Sequence, residues 1–444
     1  MDWLARIPLI GSPIITILAF VVLMGIVVTI HEYGHYIVGR WVGIHAEVFS
    51  LGFGPTLWSR VDKRGTKWQV AAVPLGGYVK FLGDRDAAST AASAALESMN
   101  DYDRRRSFPA AAVWRRFLTV LAGPVFNFIL SVVVFTGLTL WQGVATERPT
   151  IGKVTPLPYE NPLQAGDIIL GINDMPVSDY QTLYTAISAL PEAADINMLV
   201  ERGGDTRALT VPYLYVPLVS SVTPLSPAYK AGIKVGDVIL AVNGADVRSF
   251  GDLRTAVEAS QDTEIAIKVW RDGLMLQLKL TPELVDFPNK DGGFDKRVLM
   301  GVGGGFYFET ATRTPSFFTA LKIGMQQVYA VTASSLNGLK HMILGDISVK
   351  NLQGPIGIAQ ISSAAVQTGT VDFIFLIGVI SSAIGLLNLF PIPVLDGGHL
   401  VTYVYEALRG KPPNPAFLQA VMMVGMVLLL SMMLLASYND IMRL

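Results

Sequence analysis

Four stretches of the chain contain no Asp, Glu, Lys, Arg or His: residues 7–30, 117–146, 373–395 and 412–439. Each exceeds the roughly 20 apolar residues that a helix needs to cross a hydrocarbon core, so the pattern predicts four transmembrane helices. Between the second and third stretches polarity returns and the period changes. Alternating runs at 196–200 (INMLV) and 265–269 (IAIKV), each followed by a Gly-containing turn, predict strands. This region also repeats itself. Val154-Thr155-Pro156-Leu157 recurs as Val222-Thr223-Pro224-Leu225, and LQAGDIILGINDMPV (163–177) aligns with IKVGDVILAVNGADV (233–247). The stretch KWQVAAVPLGGYVKF (67–81) alternates too, with Pro74 and Gly76-Gly77 as breakers, and predicts a β-hairpin soon after the first span. Residues 315–345 have helical spacing with mixed polarity, which predicts a helix lying on the membrane face or beneath the repeated modules.

Composition supports a membrane protein. Hydrophobic residues make up 51% of the 444, and charged residues 16%, against about 25% in a soluble domain. A net charge of −1 excludes a globally basic nucleic-acid binder, and 25 Pro with 42 Gly argue against a coiled coil. With no Cys, the chain can form no disulfide, thiolate metal site or Cys nucleophile, so any metal must use His and carboxylate ligands. Lys and Arg concentrate between the first and second spans, including Arg104, Arg105, Arg106, Arg115 and Arg116, and between the third and fourth, at Arg409 and Lys411. The positive-inside rule places those loops in the cytoplasm, and both termini and residues 147–372 on the other side. Asp2 offsets Arg6 and no small-residue cleavage site follows, so the first span reads as a retained helix. Trp58, Trp68 and Tyr78 read as interfacial residues.

The candidate chemistry begins at His31-Glu32-Tyr33-Gly34-His35, an HExxH motif at the end of the first span. On a helix, His31 and His35 lie one turn apart on one face and can share a Zn²⁺, while Glu32 can take a proton from water. Ionisable residues at membrane depth mark function by default. A catalytic zinc uses about three protein ligands, so the chain must supply another. Asp396, in NLFPIPVLDG (388–397), is the best candidate: spans one and three cross in the same direction, so their C-terminal ends reach a similar depth. His399 and His45 are rivals for this place, whereas His341 reads as an ordinary residue of an amphipathic helix. Two other classes compete with an enzyme. A scaffold binding peptides through the repeated modules has no need of Glu32, and a metal transporter would require a chain of acidic residues through the other spans, which is not seen.

The repeated GD, apolar strand and Asn turn resemble the PDZ domain, although the first copy lacks the full Ala-Gly-Ile-Lys-Val lead-in found at 231–235. HEYGH in a first span, NLFPIPVLDG in a later one and a tandem PDZ-like insertion together resemble the site-2 protease family of intramembrane zinc proteases. The resemblance covers nearly the whole chain. It implies that His31, His35 and Asp396 ligate Zn²⁺ and that Glu32 is the general base. It also implies that Asn388, Pro391 and Pro393 help to hold substrate, and that 67–81, with Gly76, Gly77 and Tyr78, is a membrane re-entrant β-loop whose edge pairs with an extended substrate. Gly123-Pro124-Val125-Phe126-Asn127 matches a family motif as well; read alone it is equally a helix kink. The implied substrate is a single-span membrane protein such as an anti-sigma factor already trimmed on its outer side, with remnant signal peptides as further substrates. The modules would then act as a size filter or bind peptides themselves.

The expected architecture is thus a multi-pass α-helical membrane protein of a bacterial inner membrane. It has four transmembrane helices, tandem PDZ-like β-rich domains and a re-entrant β-hairpin. The expected domains are 1–146 (first span about 10–38, hairpin about 67–81, second span about 117–141), 147–215, 216–285, a segment with amphipathic helices at 286–371, and 372–444. Partners are the bilayer and the substrate, with no nucleic acid.

Overall fold

The structure is a computed structural model that describes residues 11–83, 99–191, 195–261, 263–289 and 293–442. It divides into two compact units. One comprises the chain up to Leu138, Phe317–Ile343 and the residues from Val349 onward; the other comprises Thr139–Ser316 and Leu344–Ser348.

The first unit is helical. α1 (Gly11–Trp41) is almost wholly apolar, and a helix satisfies its backbone groups internally, as a bilayer demands. All five HEYGH residues lie within it. β1 (Ala46–Val61) and β2 (Lys67–Phe81) follow, then α2 (Val113–Gln142), α3 (Phe317–Leu344), α4 (Pro355–Thr368), α5 (Thr370–Asn388), α6 (Asp396–Arg409) and α7 (Pro415–Met442). Four helices among the described residues are long and apolar enough to cross a membrane: Pro13–Trp41, Val113–Gln142, Thr370–Asn388 and Pro415–Met442. Leu23 and Val27 of α1 and Ile377 of α5 are buried together, with Leu130 and Val134 of α2 packed against them. α4 lies along α1, and its first turn is held from the far end of the chain. Both Asp440 carboxylate oxygens accept backbone N–H groups, from Gly354 at 3.0 Å and Gly357 at 2.9 Å, while Asn439 donates to the Val349 carbonyl at 2.9 Å. A buried carboxylate at a helix N-terminus meets unpaired N–H groups and the positive end of the helix dipole.

The structure departs from the sequence expectation in three places. The apolar run 373–395 is not one helix: α5 stops at Asn388, and α6 begins at Asp396. Pro391 and Pro393 explain the break, because a proline lacks an N–H and disfavours helical geometry in the preceding residue. Residues 67–81 do not form a hairpin with themselves. Val48–Leu51 of β1 faces Gly77–Lys80 on one side and Lys67–Val70 on the other, so the two halves of β2 are separated by a strand from outside the predicted segment. Finally, residues 286–371 contain strands before their helices, and those strands complete the repeated modules.

In the β-rich unit, β3 (Val144–Ala145) and β4 (Ile151–Val154) precede a four-stranded sheet of order β6-β5-β7-β8, formed by β5 (Ile168–Ile172), β6 (Met175–Pro176), β7 (Ile196–Arg202) and β8 (Asp205–Val211). The second copy repeats the plan. β9 (Val219–Val222) precedes a sheet of order β11-β10-β12-β13, formed by β10 (Val238–Val242), β11 (Ala245–Asp246), β12 (Ile265–Arg271) and β13 (Leu274–Leu280). β14 (Glu283–Pro288) and β15 (Phe294–Leu299) pair with each other. The chain then returns through both copies: β16 (Val302–Gly304) pairs with β9, β17 (Phe308–Thr310) with β4, and β18 (Thr312–Arg313) with β3. The second module is therefore inserted within the first. Tyr307 and Phe308, from this returning strand, are buried in the first module's core beside Ile151 and Leu214.

The duplication extends to devices that local periodicity does not reveal. Asn173 and Asn243 both take positive φ in their turns, and each side-chain oxygen accepts a backbone N–H from the adjacent strand, Asn197 at 3.0 Å and Ala266 at 2.8 Å. The short helices Tyr180–Ser188 and Phe250–Glu258 both start with capping boxes, at Asp179/Thr182 and Ser249/Asp252. Each module also buries one aspartate under a bidentate arginine. Arg202 reaches both oxygens of Asp167 at 2.7 Å, and Arg271 reaches those of Asp237 at 2.6 and 2.7 Å. Burial opposes the Asp167 charge, but hydrogen bonds from Arg202 and then from the Gln164 N–H outweigh it and hold the carboxyl below its ordinary range. A lowered folded-state value stabilises the module above the unfolded value of about 3.9, and this contribution is lost as pH falls below it. Arg202→Met is expected to cost about 3–5 kcal/mol at neutral pH, because the buried carboxylate loses its partner. It should also flatten the acid limb of the melting curve. Equal acid sensitivity in both proteins, followed by thermal melting, would count against this account.

Candidate metal centre

His31 and His35 project from one face of α1, with Nε2 atoms 3.2 Å apart. Asp396, the first residue of α6, brings Oδ2 to 3.1 Å from His31 Nε2 and 3.5 Å from His35 Nε2. The break after Asn388 makes this possible, since it turns the chain so that α6 starts at the two imidazoles. The side chains are held from behind by α2. His35 Nδ1 lies 2.9 Å from the Thr119 carbonyl oxygen, which can only accept, so Nδ1 carries a proton and, in the neutral ring, Nε2 presents its lone pair. Asn127 of α2 lies 3.1 Å from His31 Nδ1. Between them α2 has a glycine against the rings: a Cβ on Gly123 would sit 2.3 Å from His35 Nε2 and 2.9 Å from His31 Cε1. α6 is fastened to α2 by Arg116, which donates to Glu406 at 2.7 Å and lies over the Tyr403 ring at 5.0 Å.

The three atoms fit a divalent cation. Asp396 Oδ2 is buried without a hydrogen-bond partner, and facing lone pairs of a carboxylate and an imidazole repel unless a cation lies between them. With separations of 3.1, 3.2 and 3.5 Å, a point equidistant from all three lies about 1.9 Å from each. A shift of about 0.6–1.1 Å out of their plane reaches the roughly 2.0–2.2 Å at which zinc meets imidazole nitrogen and carboxylate oxygen. Two imidazoles and one carboxylate suit zinc, and three protein ligands leave a position for water or substrate.

The cluster opens on a cavity of about 620 Å³. Glu32 lines it beside the three candidate ligands, with Val79 on the same cavity. Gly77 to Phe81 form one wall. Gly77 allows this approach, since a Cβ there would lie 3.1 Å from Glu32 Cγ and 2.8 Å from the Ser50 carbonyl. Asn388 and Tyr78 also line the cavity. Pro391 and Pro393 line a neighbouring, more apolar cavity of about 520 Å³, and Gly76 lines a third of about 500 Å³. Of the rival ligands, His399 borders the first two cavities but is not among the converging atoms. His45 is engaged by Arg106 at 2.8 Å. His341 lies on α3.

The sequence reading undervalued α2. The Gly123 to Asn127 motif is a wall of the candidate centre rather than only a kink. The signal was present: Gly123 and Asn127 are four residues apart, hence on one helical face, and an amide within an apolar span needs a partner.

Comparison with known proteins identifies relatives along nearly the whole chain. A family model described as peptidase family M50 matches residues 19–432. A protein carrying a zinc-metalloprotease name in Rhizobium meliloti (strain 1021) is 32% identical over 431 residues, covering 96% of each chain. The regulator of sigma E protease of Salmonella typhi is 31% identical over 455 residues, covering 96% of this chain and 98% of the relative. A family match spanning residues 19–432, with relatives above 30% identity along nearly their full lengths, places this chain in peptidase family M50.

Proposed function

We propose that this zinc metalloendopeptidase cuts single-span membrane proteins within or near the bilayer, using His31, His35 and Asp396 as metal ligands and Glu32 as general base. The observation that carries the reading is the convergence of two imidazoles and an otherwise unpartnered carboxylate oxygen beside Glu32 in a membrane-embedded helix cluster. Zinc held there supplies Lewis-acid chemistry, polarising a peptide carbonyl and lowering the pKa of water to about 7. Glu32 takes a proton from the attacking water and returns it to the leaving amine.

A substrate helix must first be opened, because its carbonyls are already bonded to its own N–H groups. The Gly77–Phe81 segment supports a means of doing so. Its inner edge pairs with β1, and it also walls the cavity, where it can offer backbone groups to an extended substrate strand. Asn388 and Tyr78 stand at the same cavity and are assigned to substrate contact. Pro391, Pro393 and Gly76 line the adjoining cavities, where flanking substrate residues would be received.

The sigma E regulator among the relatives supports an anti-sigma factor, already trimmed on its outer side, as the physiological substrate; remnant signal peptides have the same single-span chemistry. The Lys and Arg distribution supports a bacterial inner-membrane orientation with both termini and the β-rich unit periplasmic and the metal near the cytoplasmic face. In this arrangement the PDZ-like modules act as a size filter that rejects substrates with intact outer domains. The fold offers a clean excision, because the Thr146 N–H donates to the Ala311 carbonyl at 3.0 Å, so removing 147–310 joins neighbouring residues. With purified protein and a tagged single-span substrate, wild type should cut the trimmed form and spare the full-length form. The excised protein should cut both. Unchanged discrimination after excision would reject the filter, and no cleavage of either form by zinc-loaded wild type would reject the peptidase assignment.

A further inference from the structure

Asn127 is fully buried in the middle of α2, and its two amide atoms are unevenly served. Its Nδ2 lies 3.1 Å from His31 Nδ1, whereas its Oδ1 is buried without a hydrogen-bond partner. Both halves of this arrangement are unfavourable if His31 holds metal. Ligation through Nε2 requires its lone pair, so in the neutral ring the proton resides on Nδ1. An N–H on Nδ1 would then face the amide N–H of Asn127, donor against donor, and an acceptor would remain buried and unpaired at a cost of about 1–3 kcal/mol. A half-turn about the Cβ–Cγ bond ends the donor–donor contact and pairs the acceptor, because it brings Oδ1 to Nδ1–H and moves Nδ2 to the place Oδ1 now holds. The two ends of an amide have nearly the same shape, so packing alone does not choose between them.

We infer that Asn127 is a positioning residue for His31: its amide oxygen accepts the Nδ1 proton and so fixes the ring with Nε2 free for the metal. This rests on the assignment of His31 as a ligand. The backbone around Asn127 is anchored for such a task. Its carbonyl accepts from Ser131 Oγ at 3.0 Å and from Ser381 Oγ of α5 at 2.9 Å. Its side chain is confined by α5 as well, where a Cβ on Gly385 would lie 3.2 Å from Asn127 Cβ. With the Thr119 carbonyl behind His35, α2 would provide the outer acceptor for both imidazoles, one from its backbone and one from a side chain. Outer acceptors of this kind set the tautomer and basicity of metal-ligating histidines, and losing one costs about 10–100-fold in metal affinity or activity.

The test separates acceptor from donor and both from packing. Zinc affinity of the full-length protein in detergent is measured by chelator competition, alongside thermal melting of the metal-free protein, for wild type, Asn127→Leu, Asn127→Asp and His31→Ala. Asn127→Leu keeps the approximate volume without an acceptor and is expected to bind zinc about 10–100-fold more weakly. Asn127→Asp has only acceptor oxygens and should retain wild-type affinity within a few fold. Leu affinity equal to wild type, or Asp as weak as Leu, overturns the inference, as does a lowered metal-free melting temperature with unchanged zinc affinity. If the Leu variant fails to fold, the Asp variant still decides, since a donor role predicts its failure and an acceptor role its success. If wild type binds no zinc, or His31→Ala binds it equally well, the ligand assignment fails instead.

Discussion

Glu32→Gln is expected to retain about one zinc per chain while slowing peptide hydrolysis about 10²–10⁴-fold, the usual contribution of a positioned acid–base group. Glutamine preserves size and can still occupy the wall of the cavity beside Val79, but it cannot accept the water proton at neutral pH. The side chain is not among the three converging ligand atoms, so metal content should not fall with activity. Cleavage of a tagged substrate with zinc quantified in the same samples reads both effects. Loss of activity together with loss of metal would make Glu32 a structural partner of the centre, and full activity in the glutamine variant would remove it from the chemistry.

Gly123→Ala should damage the centre itself. The added methyl would lie 2.3 Å from His35 Nε2, far inside contact distance. His35 cannot swing aside without leaving the Thr119 carbonyl, and the same methyl meets His31 at 2.9 Å. Relief therefore requires either dispersing the imidazoles or parting α1 from α2. A Cβ on Gly34 of α1 would be only 2.5 Å from the Ala122 carbonyl, which shows how little slack the helix pair has. Overpacking of this kind costs about 1–3 kcal/mol, and zinc affinity should drop by at least the roughly 10–100-fold typical of a disturbed outer contact. Gly137→Ala on the same helix is the control, because its Cβ would meet nothing within 4 Å. Equal zinc affinity for the Gly123→Ala protein and the control would show that the approach of α2 to the rings is unimportant.

What the sequence made legible was what local patterning and rare residue combinations encode. Each of the four charge-free runs holds a long apolar helix, the third only as far as Asn388, because a fold in water seldom leaves about 20 consecutive residues without a charge. HEYGH pointed to a candidate metal site through spacing alone, and the shared direction of spans one and three brought Asp396 into consideration, which the structure places beside both histidines. The duplication was visible because Gly-Asp and Asn turns are sparse and recur in order. What stayed hidden depends on partners far along the chain. Nothing near Asp167 signals that Arg202 will cover it, and nothing near Ile151 signals that β17 will pair there. Residues 67–81 alternate as a strand pair would, yet Val48–Leu51 lies between their halves, because alternation specifies a face and not a neighbour. The break between α5 and α6 was readable from Pro391 and Pro393, but hydropathy averaged over them. The Gly123 to Asn127 motif read equally as a helix kink, since the value of Asn127 lies in the ring it meets on another helix.

The insertion of one module inside the other also imposes a timetable on biosynthesis. β4 emerges from the ribosome as the first part of a pair whose second member, β17, is encoded more than a whole module later. At about 5–20 residues per second, the roughly 150 intervening residues take about 8–30 s to make. During that interval β4 has an open edge and the first core lacks Tyr307 and Phe308, whereas the inserted module has most of its strands as soon as β13 appears. The second module should therefore mature first and the first module last, closed by the strand that leads the chain back towards its third membrane helix. An unpaired edge exposed for that long invites pairing with other chains, so the nascent protein is most vulnerable to aggregation and degradation while ribosomes are translating the inserted copy.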